Sequence, residues 1–172
     1  MSTEATIEAP AHSRTDAAAH QPRISLPKLA PEFYQAMIGL DAAARKGLDP
    51  VLVELVKVRA SQINHCAFCI DMHTKDARHA GESEARLYLL SAWEEAAGHY
   101  TEKERAALAL TEAVTVLTDG FVPDEVYQRA AEHFEEPELA QLIALIVAIN
   151  SWNRISVTSR SVPGAYQPGQ HK

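Results

Sequence analysis

Residues 54–81 read ELVKVRASQINHCAFCIDMHTKDARHAG and hold both cysteines of the chain, Cys66 and Cys69, with His73 four residues further on. In a helix, residues three, four and seven apart lie nearly above one another, so these three side chains form a single stripe. The α-carbons of a helical i, i+3 pair are about 5 Å apart, within the range that a disulfide tolerates. The two thiols can therefore bond to each other. Such a bond closes a very short loop and removes little unfolded-state entropy, so it suits a bond that cycles better than one that holds a fold. Thiolate chemistry needs a lowered thiol pKa, a nearby base and some access. Asn64 and His65 interrupt the apolar pattern before Cys66, which predicts a new helix with Cys66 in its first turn, where free N–H groups and the helix dipole favour an anion. His73 is placed to take a proton from Cys69 or to stabilise its anion.

Two other readings of this stripe stand beside the redox one. Paired cysteines occur in helices as small buried hydrophobes. Zinc is the sharper rival: Cys66, Cys69 and His73 supply three ligands, with His65 or Glu54 as the fourth that a structural site needs. Covalent haem attachment is excluded, since it needs histidine directly after the second cysteine and Ile70 stands there.

Working outward, Asp49-Pro50 reads as an N-cap and first-turn proline opening a helix over roughly 50–63, with Leu52, Leu55, Val56 and Ile63 on its apolar face. Glu54 is set among Val51, Leu55 and Val58. Desolvation there would disfavour its charged form and fit it to hold a proton. Lys57, three residues on, offers the plainer reading of a surface ion pair, which periodicity alone favours. Before this helix, Pro31 opens another that runs to about Arg45. Ile24, Leu26 and Leu29, set among prolines, suggest an extended segment lying on the core. Residues 1–22 are poor in large apolar side chains and read as a mobile tail in which His12 and His20 are solvated.

Downstream, Gly81 stops the cysteine helix, and Ser83 caps the next, which carries Leu87, Leu90 and Trp93. Thr101 to Glu104 has capping-box spacing. Pro123 and Pro137 open two more helices, the last apolar nearly all round from Leu139 to Ile149, which implies burial in the domain or, as preferred here, a subunit contact. A polar tail follows over 163–172. No stretch alternates apolar and polar residues over strand lengths, so the fold class is all-α, with about seven helices in one domain over 23–162.

The 172-residue chain carries a formal net charge of −7, with a pI near 5.6, which argues against nucleic acid or an anionic membrane as its main partner. No secretory signal pattern opens it, and no apolar run approaches the roughly 20 residues that span a bilayer. A cytoplasmic location is expected, where disulfides are mostly transient. No G-x-G-x-x-G or P-loop pattern occurs, so no site for NAD, flavin or ATP is recognisable and no cofactor is expected; electrons must come from another molecule.

Glu54-Leu55-Val56, Ser61 to Asn64 and Cys66-Ala67-Phe68-Cys69-Ile70-Asp71-Met72-His73 together resemble the core signature of the alkylhydroperoxidase D-like branch of the carboxymuconolactone decarboxylase family. The resemblance extends through Ser91-Ala92-Trp93, Glu102 to Ala107 and Ile149 to Arg154. It implies a helical subunit in a homo-oligomer, trimer or hexamer, with the cysteines in a pocket near a subunit interface. It further implies a peroxidase in which Cys69 attacks a hydroperoxide, Cys66 resolves the sulfenic acid as a disulfide, and Glu54 and His73 relay protons. An external dithiol, lipoyl or thioredoxin-like, would regenerate it. Two positions depart from the pattern: Phe68 stands where the peroxidase has a relay histidine, and His65 replaces a small residue. A cofactor-free lyase or isomerase acting on a lactone, with Glu54 and His73 as acid and base, is the alternative within the family. Asn150, Trp152, Asn153 and Arg154 fit the family pattern and read first as packing and helix-end contacts.

Overall fold

The structure is a computed structural model that describes residues 21–169. The expectation of an N-terminal tail, with His12 and His20, falls almost wholly outside the described residues. Eight α-helices occur among them: α1 (Leu26–Leu29), α2 (Pro31–Ala44), α3 (Pro50–Ile63), α4 (Ala67–His79), α5 (Glu84–Leu89), α6 (Glu102–Thr115), α7 (Asp124–His133) and α8 (Glu136–Ser159), with no strand. The class is all-α, as the periodicity requires. α1 corrects the expectation of an extended segment: Pro27 sits in its first turn, and the Leu29 and Ala30 amides close one helical turn on Ser25 and Leu26. It buries no residue, and Leu29 is left 71% exposed.

α3 is the central element, packed against α4, α6 and α8. It starts where the Asp49 carboxylate accepts from the Val51 and Leu52 amides at 2.9 and 3.0 Å, satisfying two of the orphan donors of the first turn. From there Leu52, Val53, Leu55, Val56, Val58 and Ala60 are all buried, so α3 feeds apolar side chains to neighbours on nearly every side. Each fully buried aliphatic side chain contributes about 1.5–3 kcal/mol of transfer free energy. α6 begins with the capping box that Thr101 and Glu104 promised, both halves formed.

α8, at 24 residues, is long and apolar enough by length and composition to cross a membrane, which the run-length reading of the sequence missed. Leu142, Leu145, Ile146, Ala148 and Ile149 are nevertheless completely buried within this single chain. Burial in the domain accounts for these side chains, while Val147 and Val157 on the same helix stand about half exposed. At its end Arg160 adopts a left-handed conformation (φ 56°), and the Arg160 and Ser161 amides bond back to Ser156 O. The chain thereby reverses, and residues 161–169 run back over α4.

Lys57 is buried at 2% exposure, and its ammonium bonds Asp41 Oδ1 on α2 at 2.7 Å. The ion pair therefore joins α2 to α3 and does not involve Glu54. Replacing Asp41 by Asn strands a buried ammonium and is expected to cost about 3 kcal/mol of unfolding free energy in urea titrations, of which the Asp41→Leu, Lys57→Met pair recovers most.

Candidate functional site

The link between α3 and α4 places the sulfurs. Asn64 and His65 end α3, His65 in a left-handed conformation (φ 52°) with its side chain exposed, and the Cys66 amide bonds Ser61 O at 2.9 Å. This tight reversal makes Cys66 the N-cap of α4 and puts Cys69 one turn in, so the two thiols share a face as the spacing required. Both are free and each is 1% exposed. Cys69 Sγ lies 3.7 Å from the Ser156 hydroxyl on α8.

The thiols are driven apart in acidity. Cys66 is lowered to about 7, chiefly because the Cys69 thiol donates to it, with the Cys69 amide and the side chains of Asn153 and Ser156 adding to the effect against the opposing cost of burial. Cys69 is pushed up, by that same bond to Cys66, then by burial and by the neighbouring charge. The pair therefore favours the anion on Cys66, at the helix N-terminus, and the proton on Cys69.

Behind Cys69, His73 Nδ1 lies 2.9 Å from Glu54 Oε2, with side-chain exposures of 6% and 14%. α3 and α4 run side by side here, so a carboxylate on one helix meets an imidazole on the other. Glu54 is therefore paired with His73 and not with Lys57, which points to α2. Asp76, three residues beyond His73, brings a carboxylate oxygen into the same cluster, in which the ligand-type atoms of Glu54, His73 and Asp76 lie within 4.8 Å of one another. Neither thiol belongs to that group, so the zinc set of Cys66, Cys69 and His73 is not assembled, and His65 is turned to solvent. Phe68, between the cysteines, is half-buried.

Asn153 is 1% exposed and donates to Ser61 Oγ at 2.9 Å, while Asn64 donates to both Asn150 Oδ1 and Asn153 Oδ1 at 2.9 and 3.0 Å. These amides, read from sequence as packing, lock the end of α3 to α8 and aim polar groups at the thiols. Ser156, Asp76 and Tyr166 were missed altogether. The signal for the first two was available, since Ser156 follows Asn153 by three residues on α8 as Asp76 follows His73 on α4. Trp93 and Arg59 both donate to Glu112 Oε1, at 2.6 and 2.7 Å, and belong to the packing of α3 on α6. A shallow cleft of about 400 Å³ opens beside α4, lined by Thr74, Lys75, Arg78, His79, Gln167 and Pro168.

Residues 31–113 match the model of the Carboxymuconolactone decarboxylase family. The uncharacterised protein YdfG of Bacillus subtilis is 45% identical over 136 residues, 78% of this chain and 92% of its own length. YnjA of Escherichia coli, also uncharacterised, is 37% identical over 117 residues, 66% of this chain and 63% of its own. A solved structure from Agrobacterium tumefaciens, a protein of unknown function suggested to be the antioxidant defence protein AhpD, is 40% identical with a TM-score of 0.81, over 85% of this chain and all of that one. An alkylhydroperoxidase AhpD core from Ralstonia eutropha shares the fold at 20% identity and a TM-score of 0.70, over 81% and 74% of the two chains.

Ultraviolet titration of thiolate absorbance in the reduced protein is expected to show one thiolate appearing with a midpoint at about 7, so that it is lost as the pH falls below that value. Cys66→Ser removes the transition. Cys69→Ala moves it upward, because the largest stabilising hydrogen bond to the anion is gone.

Proposed function

The chain belongs to the carboxymuconolactone decarboxylase family, in its alkylhydroperoxidase D-like branch, and from that premise we propose that it is a thiol-dependent peroxidase that reduces hydroperoxides through a Cys66–Cys69 dithiol–disulfide cycle. The observation that carries the reading is the pair of free, buried thiols at the start of α4, Cys66 the more acidic of the two, directly before a paired imidazole and carboxylate. Nothing about a structural crosslink or a packed hydrophobe calls for that arrangement.

In the proposed cycle Cys69 gives its proton to the Glu54–His73 pair and attacks an oxygen of the hydroperoxide. The O–O bond breaks, the alkoxide takes the proton back and leaves as alcohol, and Cys69 is left as a sulfenic acid. The Cys66 thiolate then displaces hydroxide from that sulfur, which leaves as water after taking one proton, and the disulfide stands oxidised by two electrons. A dithiol of the lipoyl or thioredoxin-like class attacks the disulfide, expelling Cys66, the better leaving group because its thiol is the more acidic. The cytoplasm supplies such reductants. The half-buried Phe68 offers no proton between the sulfurs, which leaves Glu54 and His73 to carry the relay and makes for slow turnover.

The exposed apolar side chains Phe33, Ile38 and Leu40 on α2 and Val147 and Val157 on α8 support assembly into the trimer or hexamer that the resemblance implies.

Cys69→Ser is expected to abolish turnover of an alkyl hydroperoxide with dihydrolipoamide as reductant, and Glu54→Gln to slow it by about 100-fold, the scale of one general acid–base group. Undiminished turnover in Cys69→Ser overturns the assignment. Conversion of a lactone substrate that survives loss of both cysteines would instead favour the lyase or isomerase alternative.

A further inference from the structure

The segment after α8 is tied to α4 by Asp71 and Lys75 and reaches the side of that helix that carries the site only at Asp76. Asp71 and Lys75, one turn apart on α4, form an ion pair at 2.9 Å. Asp71 Oδ2 accepts from the Gly164 amide at 2.9 Å, and Lys75 donates to the carbonyls of Gly164 and Tyr166 at 3.3 and 3.1 Å. Gly164 takes φ +102°, a conformation that a side chain resists, and this lets the strap turn inward. The turn delivers Tyr166, whose hydroxyl donates to Asp76 Oδ1 at 2.7 Å. Tyr166 and Asp76 are both half-buried, whereas His73 and the two sulfurs are buried.

We propose that Asp76 and Tyr166 form the proton outlet of the site, a hydrogen-bonded pair that links the buried Glu54–His73 dyad to solvent through the C-terminal strap. The inference rests on the peroxidase reading. Its necessity follows from the proton balance of that cycle. A couple that holds one thiolate and one thiol at rest releases an alcohol and a water on oxidation, which requires one proton beyond the one the couple owns. Reduction by a dithiol returns that proton. Buried sulfurs must therefore exchange one proton with solvent in each half of the cycle, and Asp76 is near enough to the dyad for a small rotation or a single water to join them. The Tyr166 hydroxyl is held protonated, its pKa raised by burial first, then by the bond to Asp76 and by the charges of Asp76 and Glu54, so it remains a donor to Asp76 at neutral pH. The ionisable groups around the outlet are Glu54 from α3, Cys69, His73 and Asp76 from α4, with Lys75 and Asp71 clamping the strap; α8 turns the uncharged Ser156 toward Cys69.

Single-turnover disulfide formation, measured after mixing reduced protein with an alkyl hydroperoxide, tests the outlet in Asp76→Asn and Tyr166→Phe. Each is expected to slow the step by about tenfold, less than the roughly 100-fold or more that loss of a general acid–base group itself costs. Small buffer acids restore the rate: raising imidazole concentration at fixed pH accelerates both variants and leaves the wild type unchanged. The two variants are read independently, so one that fails to fold leaves the other to decide. Rates equal to wild type, or slow rates that imidazole does not lift, overturn the proposal. If the wild type forms no disulfide with hydroperoxide, the peroxidase reading fails, and reduction of a chemically formed Cys66–Cys69 disulfide by dihydrolipoamide tests the outlet on the same variants.

Discussion

The pairing of two sulfurs at the first turn of α4 governs this structure: Cys66 and Cys69 lie together there, and each shifts the acidity of the other. It exists because the α3–α4 link is short enough to make Cys66 an N-cap, and that in turn needs His65 in a left-handed conformation that a β-branched residue would resist. Buried polar groups are stable only where their remaining lone pairs and dipoles are satisfied. α8 meets that demand from behind, with the Ser156 hydroxyl 3.7 Å from Cys69 and Asn153 fixed by Ser61 and Asn64.

The same arrangement explains why so much of the core converges on α3 and α8. Each is a packing element along its apolar length and a polar element toward its C-terminal end: α3 carries Ser61 with Asn64 as its cap, and α8 carries Asn150, Asn153 and Ser156. The apolar interior holds the polar cluster rigid, and the polar cluster ties the two helices where the apolar contact stops. A disulfide over so short a loop adds little to stability, so the fold tolerates both the open and the bridged couple. The strap from residue 161 onward closes the arrangement from the solvent side, held by an ion pair and backbone hydrogen bonds and not by apolar burial.

Much of this was legible in the sequence. Asp49-Pro50, Thr101 to Glu104 and Gly81 marked helix ends through capping chemistry that acts within a few residues, and α3, α4 and α6 lie where those signals put them. The stripe of Cys66, Cys69 and His73 followed from helical spacing. The partner of Glu54 did not, because choosing between Lys57 and His73 depends on how α3 lies against α2 and α4, which no local pattern encodes. Leu26–Leu29 was misjudged because prolines that look extended also suit the first turn of a helix. Tyr166 was invisible for a different reason. Its contacts with Asp76 are 90 residues away in sequence, set by the reversal at Arg160 and the turn at Gly164.

The account stands or falls on whether the two sulfurs act as one redox couple. Intact-mass measurement with a thiol count, before and after one equivalent of alkyl hydroperoxide and without reductant, reads this directly. The account predicts that both thiols vanish together, with the loss of two hydrogens and no retained oxygen. Two thiols surviving, or a single cysteine carrying oxygen beside an unreacted neighbour, would contradict it.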